Sequence, residues 1–226
     1  EARRRLASLL AAVGGDENWK EALQLLGSGG GGDRRARAIL LARQGDEANR
    51  TMARALFEEI VADPNVARTD DRLLLGRLYE LEGKDLLARD QFRFVASQAD
   101  AKSMHVAAFV EFLLRQRQWD DAATWITQLE TFNPNPFELL TLRVRLLDGQ
   151  DEDGEIAALI DEYVEAAQLA NAEPAKRVET LSQVVQLCTS VEQYASAEKY
   201  LRRLMEDSPQ AFSALVVMMA RQGRTL

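Results

Sequence analysis

Setting Ala88 against Ala122 brings the residues around them into step at a separation of 34 residues. Leu75, Gly76, Tyr79, Gly83, Phe92, Val95 and Asp100 answer Phe109, Val110, Leu113, Arg117, Ile126, Leu129 and Pro134. A third copy keeps the same internal spacing in Val184, Val185, Cys188, Glu192, Ala197, Leu201, Leu204 and Pro209, and its Tyr194 stands where Trp119 stands in the copy before. Self-similarity at a period of this length predicts a stack of like units, each burying one face against the next, in place of a core assembled from unlike elements.

Within each copy the apolar residues fall at i, i+3, i+4 and i+7 in two stripes joined by a short polar turn, which predicts a pair of antiparallel helices. Gly76 and Ala88 are small where two helix backbones must approach, and Gly83 can take the left-handed conformation that ends a helix. Tyr79, Phe92, Leu113 and Ile126 fill the space between the helices. Asp63-Pro64, Asn133-Pro134 and Ser208-Pro209 close second helices, because the residue before a proline is pushed out of the helical region.

With these residues in place, the chain resembles the tetratricopeptide repeat, a helical hairpin of 34 residues with a small-aromatic-Gly-Ala-aromatic-Pro pattern. Residues 70–134 and the copy at 178–211 fit it without a gap. Residues 33–66 keep Ala38, Leu41, Gly45, Ala53, Phe57, Ile60 and Pro64 but hold about three extra residues in the turn. Residues 1–32 keep Leu9, Leu10, Val13, Trp19 and Ala22, then run into glycines. In residues 135–177 two long helices are readable, at about 137–148 and 153–170, but no placement of the small residue satisfies both, so the repeat phase there stays open. The fold expected from the resemblance is all-α: a right-handed superhelical solenoid of about six hairpins (1–32, 33–68, 69–102, 103–136, 137–177 and 178–211) and a C-terminal helix over 211–223, forming one domain.

The resemblance also implies where binding occurs. In the family the first helix of each hairpin lines a concave groove through its second, fifth, ninth, twelfth and thirteenth positions. Here these are Asp70, Leu73, Arg77, Glu80 and Leu81 in one copy; Met104, Ala107, Glu111, Leu114 and Arg115 in the next; and Glu179, Ser182, Gln186, Thr189 and Ser190 in the late copy. The mixture of apolar side chains and both charge signs suits an extended peptide or a helix. Some family members hold acidic C-termini with a clamp of Lys, Asn and Arg; Asp70, Met104 and Glu111 stand where a cation or amide is wanted, so no such clamp is expected.

Composition narrows the chemistry. There are 28 Lys and Arg against 36 Asp and Glu, a net charge of −8. Phosphate backbones are bound through an excess of basic residues, so a nucleic-acid partner is not expected; an RNA-reading helical repeat of about 35 residues would be basic. No run approaches the roughly 18 to 20 apolar residues that cross a bilayer, and the longest, residues 214–220, covers about two turns. One cysteine, Cys188, and one histidine, His105, are too few for a Cys/His zinc site or for nucleophilic catalysis by a paired base. Cys188 falls where Tyr79 and Leu113 fall in other copies and reads as a small core hydrophobe. His105 reads as a packing or surface residue at a helix start.

Glu58-Glu59, Asp70-Asp71, Asp120-Asp121 and Asp151-Glu152-Asp153 read as residues of helix starts and turns, where negative charge suits the helix dipole. The run from Gly27 to Gly32 lacks the Gly-Lys-Ser/Thr ending of a phosphate loop, since Asp33-Arg34 follows, and reads as a flexible loop. Charge shifts along the chain, with net values of 0, −2 and −6 over residues 1–75, 76–150 and 151–226. The late acidic excess is either a solvated helix face or an attraction for a basic partner near residues 151–165.

No enzyme, cofactor or metal is therefore expected. The expected function is a protein or peptide-binding scaffold. The alternative is a structural spacer or self-association module in a larger protein whose enzymatic domain lies elsewhere. Residues 211–220 are apolar nearly all round, which reads as half a hairpin in a longer chain and as a strip able to pair two copies. Arg outnumbers Lys 23 to 5, a usage expected of a GC-rich bacterial genome. No compartment is marked.

Overall fold

The computed structural model describes residues 1–27 and 30–223. Among them are thirteen α-helices and no strand: α1 (Ala2–Val13), α2 (Asp16–Leu26), α3 (Gly31–Gln44), α4 (Glu47–Ala62), α5 (Thr69–Leu81), α6 (Asp85–Ala96), α7 (Ser103–Arg115), α8 (Trp119–Glu130), α9 (Pro136–Gly149), α10 (Asp153–Ala166), α11 (Pro174–Ser190), α12 (Tyr194–Leu204) and α13 (Ala211–Arg221). A short 3-10 helix, Leu169–Asn171, precedes α11. The chain divides into two compact units, Glu1–Phe112 and Leu113–Leu226.

In the first unit α1 packs on α2, α2 on α3, α3 on α4, α4 on α5 and α5 on α6, with α1 also reaching α3. In the second, α8 packs on α9, α9 on α10, α11 on α12 and α12 on α13. Helices that touch are close in sequence, and this nearest-neighbour pattern makes the fold an all-α helical-repeat solenoid.

One turn recurs with the same backbone geometry. After α5, α7, α9 and α11 a residue in the left-handed region follows: Gly83 (φ 70°), Arg117 (φ 55°), Asp151 (φ 59°) and Glu192 (φ 56°). In each case the next N–H donates to a carbonyl five residues back: Lys84 to Tyr79 (2.8 Å), Gln118 to Leu113 (2.9 Å), Glu152 to Leu147 (2.9 Å) and Gln193 to Cys188 (2.8 Å). This is the Schellman bond, which satisfies a carbonyl left over at the helix end. Asp151 thereby sets the phase that the sequence leaves open: residue 137 is the first of its repeat, and Val144 and Ile156 occupy the places of Gly76 and Ala88. Both are fully buried, so the α9–α10 crossing holds a branched side chain, Ile156, where the α5–α6 crossing holds Ala88.

The reason Gly76 is small is visible, since a Cβ there would lie 3.2 Å from the Phe92 ring. Phe92 in turn meets Phe112 at 5.1 Å between ring centroids. Ala88, Ala122 and Ala197 are fully buried. In the second unit a continuous core runs through Leu140, Val144, Ile156, Ile160, Val164, Leu181, Val184, Cys188, Ala197, Tyr200, Leu201 and Leu215.

Three expectations are corrected. The helix read to residue 170 stops at Ala166: Gln168 turns left-handed (φ 48°), and the 3-10 turn tucks Leu169 into the core. The glycine run is not all loop, because Gly31 and Gly32 open α3; a Cβ on Gly32 would stand 2.8 Å from the Arg4 guanidinium, which reaches across it to Asp33 (3.3 Å). Positions 28 and 29 lie outside the described residues. Glu58 and Asp71 are not simple dipole charges. Glu58 sits late in α4, accepting from Arg54 (2.7 Å) and from the Tyr79 hydroxyl (2.8 Å). The Asp71 side chain is 1% exposed, and it accepts two bonds from Arg35 (2.6 and 2.8 Å) and one from the Arg68 backbone N–H (2.8 Å).

Candidate protein-binding surface

The residues assigned to the groove fall in both units. In the first, Asp70 and Arg77 are exposed, Leu73, Glu80 and Glu111 half-buried, and Leu81 (66%) and Met104 (55%) stand out as exposed apolar side chains. Ala107 is buried, so it packs the interior and offers no side chain to a ligand. In the second unit Leu114 is buried likewise, while Arg115, Glu179, Ser182, Gln186, Thr189 and Ser190 are exposed. Thr189 and Ser190 donate their hydroxyls back to the carbonyls of Val185 (2.8 Å) and Leu187 (2.7 Å), a common use of these residues on a helix.

Around Glu179 the second unit forms a concave site. The start of α9 is fixed by Asn135, whose side chain accepts from the N–H groups of Phe137 (2.9 Å) and Glu138 (3.2 Å), and by Pro136 in the first turn. This places Phe137 and Glu138 opposite the end of α10, which contributes Tyr163, Ala166 and Ala167, and the first turns of α11, which contribute Lys176, Glu179, Thr180 and Gln183. Together they enclose a cleft of about 560 Å³. Its aromatic wall is Phe137 against Tyr163, tilted by 55° with centroids 5.9 Å apart, a favoured arrangement for two rings. Burial raises the Tyr163 hydroxyl above its ordinary range, and the negative charge of Glu179 raises it further. The rim carries charge of both signs, with Lys176 3.5 Å from Glu179.

Phe137, Glu138 and Tyr163 were not among the residues assigned from sequence. With the phase set by Asp151, Glu138 occupies the second repeat position, the same place as Asp70, Met104 and Glu179. The signal was present in the chain but hidden by Ile156, which stands where the other copies hold alanine.

A second, smaller cleft of about 470 Å³ lies against α13, lined by Val185, Thr189, Tyr194, Leu201, Val217 and Met218 among others. Elsewhere the chemistry is structural. His105 is 6% exposed and its Nδ1 accepts from the Lys102 N–H (3.1 Å), closing the start of α7. Cys188 is fully buried, and burial pushes its thiol up to about 11. Asp148 is raised by burial and by the nearby charges of Asp153, Asp151 and Glu192. Among the described residues no cluster of His, Cys, Asp and Glu is arranged to hold a metal, and no helix is long and apolar enough to cross a membrane.

No family model matches the sequence, and no curated protein matches it. Solved structures do match. A thermophilic tetratricopeptide-repeat protein of Thermus thermophilus, TTC0263, is similar over 83% of this chain and 97% of its own, at 14% identity and a TM-score of 0.50. PilF of Pseudomonas aeruginosa is similar over 95% of this chain and 99% of its own, at 13% identity and a TM-score of 0.52. The fold is the tetratricopeptide-repeat fold. Identities this low carry the tetratricopeptide architecture across and nothing about ligands.

Proposed function

We propose that this chain is a non-catalytic scaffold that binds a peptide or protein segment on the faces of its first helices, with the cleft between α9, α10 and α11 as the anchoring site. The observation that carries the proposal is the Phe137–Tyr163 wall: two half-buried rings line an open concavity. Aromatic side chains in such a position supply much contact area at little cost in ordering. Glu179, Ser182, Gln186 and Thr189 extend this surface along α11. Asp70, Leu73, Arg77, Glu80, Leu81, Met104 and Glu111 offer a corresponding surface in the first unit.

The test is selection of peptides from a random displayed library on the purified chain, followed by chemical-shift mapping with a selected peptide. The proposal expects enriched sequences whose binding shifts amides around residues 135–138, 163–167 and 176–183. No enrichment, or shifts confined to other helices, refutes it. Sedimentation run alongside separates peptide binding from pairing of two copies through α13.

A further inference from the structure

The charges around the cleft are not balanced. From residue 146 to residue 175 there are nine acidic residues and no basic one. Asp161 is matched by Lys199 (2.7 Å) and the Tyr200 hydroxyl, on the side of α10 that faces α12. Glu162, one turn before Ala166 of the cleft, is exposed. Glu138 and Glu179 stand on the rim itself, and Lys176 is the one cation lining the cleft among the described residues, already beside Glu179. No ion pair of Glu138 or Glu162 occurs among the described residues. The opening thus presents two carboxylates, Glu138 and Glu179, and one ammonium around two aromatic rings.

An aromatic face attracts a cation through its quadrupole, and carboxylates at the rim hold the same cation by charge and hydrogen bonds. An anionic or purely apolar side chain gains neither. We infer that the occupant of the α9–α11 cleft is a basic segment of a partner protein, whose Arg or Lys side chain lies against Tyr163 and Phe137 with its charged end between Glu138 and Glu179. The inference rests on the proposed binding function and adds the chemistry of the partner. It commits to a segment of a partner protein on the charge complementarity between such a segment and the carboxylates lining the cleft.

The experiment measures anisotropy of three fluorescein-labelled peptides of equal length, alternating Ala with Arg, with Gln or with Glu, titrated with the intact chain. The Arg peptide is expected to bind at least about tenfold more tightly than the other two and to weaken as salt rises, as charge steering of this range does. Glu138→Gln with Glu179→Gln, both on the surface, is expected to cost about tenfold, the scale of two exposed charge contacts. Asp151→Asn with Glu152→Gln, at the far end of α10, is expected to change nothing. If the second pair weakens binding as much as the first, the Arg peptide senses only the overall field and the inference falls. If the Gln or Glu peptide binds as well as the Arg peptide, the inference falls while the binding function stands. If none binds, and library selection also fails, both fall.

Discussion

The hairpin turns offer a clean perturbation, because one of them holds glycine and another does not at the same left-handed position. A Cβ added at Gly83 would meet nothing within 4 Å, so Gly83→Ala introduces no clash and acts through the backbone alone. Holding an L-residue in that region costs roughly 1–2 kcal/mol, and the loss of freedom in the unfolded chain returns about 0.4–1 kcal/mol of it. The net expectation is a loss of about 0.5–1 kcal/mol for Gly83→Ala. The opposite change, Arg117→Gly, should gain about as much by the same reasoning. Arg117 at φ 55° makes no ion pair among the described residues, so little else is removed with its side chain. Repeat arrays open locally, so global urea midpoints belong with native-state hydrogen exchange of the Lys84 and Gln118 amides, which report each turn separately. A neutral Gly83→Ala together with a destabilising Arg117→Gly would refute the equivalence of the two turns.

Four further outcomes follow from the same contacts. Asp71→Ala leaves the Arg35 guanidinium unmatched in a mostly buried site and should cost about 3–5 kcal/mol in urea unfolding, whereas replacing both residues with apolar ones of similar volume should cost far less. Gly149→Ala would drive a Cβ into the Trp119 ring, and the forced shift should cost about 1–3 kcal/mol and change the tryptophan emission. Cys188 should resist thiol reagents at neutral pH until the chain unfolds, because its thiol is both enclosed and held protonated up to about 11; rapid labelling of the native chain contradicts its placement. Burial works to raise the carboxyls of Glu82 and Asp161, but hydrogen bonds from Lys84 and Arg54, and from Lys199 and Tyr200, outweigh it and hold both below their ordinary values of 4.5 and 3.8. Their contribution is therefore complete above those ordinary values and is lost as pH falls through the depressed ones, so Glu82→Gln and Asp161→Asn should flatten the acid limb of a stability profile.

Much of the architecture was legible because helix packing at close range leaves marks of size. Ala88, Ala122 and Ala197 are small and fully buried at one repeat position, Gly76 leaves room for the Phe92 ring, and that period survives in the letters. Hairpin α9–α10 was opaque for the converse reason: Ile156 stands where the other copies hold Ala88, Ala122 and Ala197, and Asp151 takes a turn conformation that composition alone assigns to glycine. Asp71 stands in a first helical turn as expected, but its burial was not legible, because only the three-dimensional approach of Arg35 from another helix encloses it. In the proposed binding surface the residues along α11 came from the resemblance to the repeat family, but the aromatic wall came from α9 and α10, whose phase had no small residue to mark it.

Four tyrosines occur in the chain, and Tyr79 and Tyr200 are enclosed while Tyr163 borders the α9–α11 cleft. Fluorotyrosine labelling with 19F NMR, assigned through Tyr163→Phe, therefore reads the cleft against internal standards as a selected peptide is added. Occupation of the cleft predicts that the Tyr163 resonance moves in proportion to binding while those of Tyr79 and Tyr200 stay in place. A peptide that binds and leaves Tyr163 unmoved contradicts the assignment of this surface as the site.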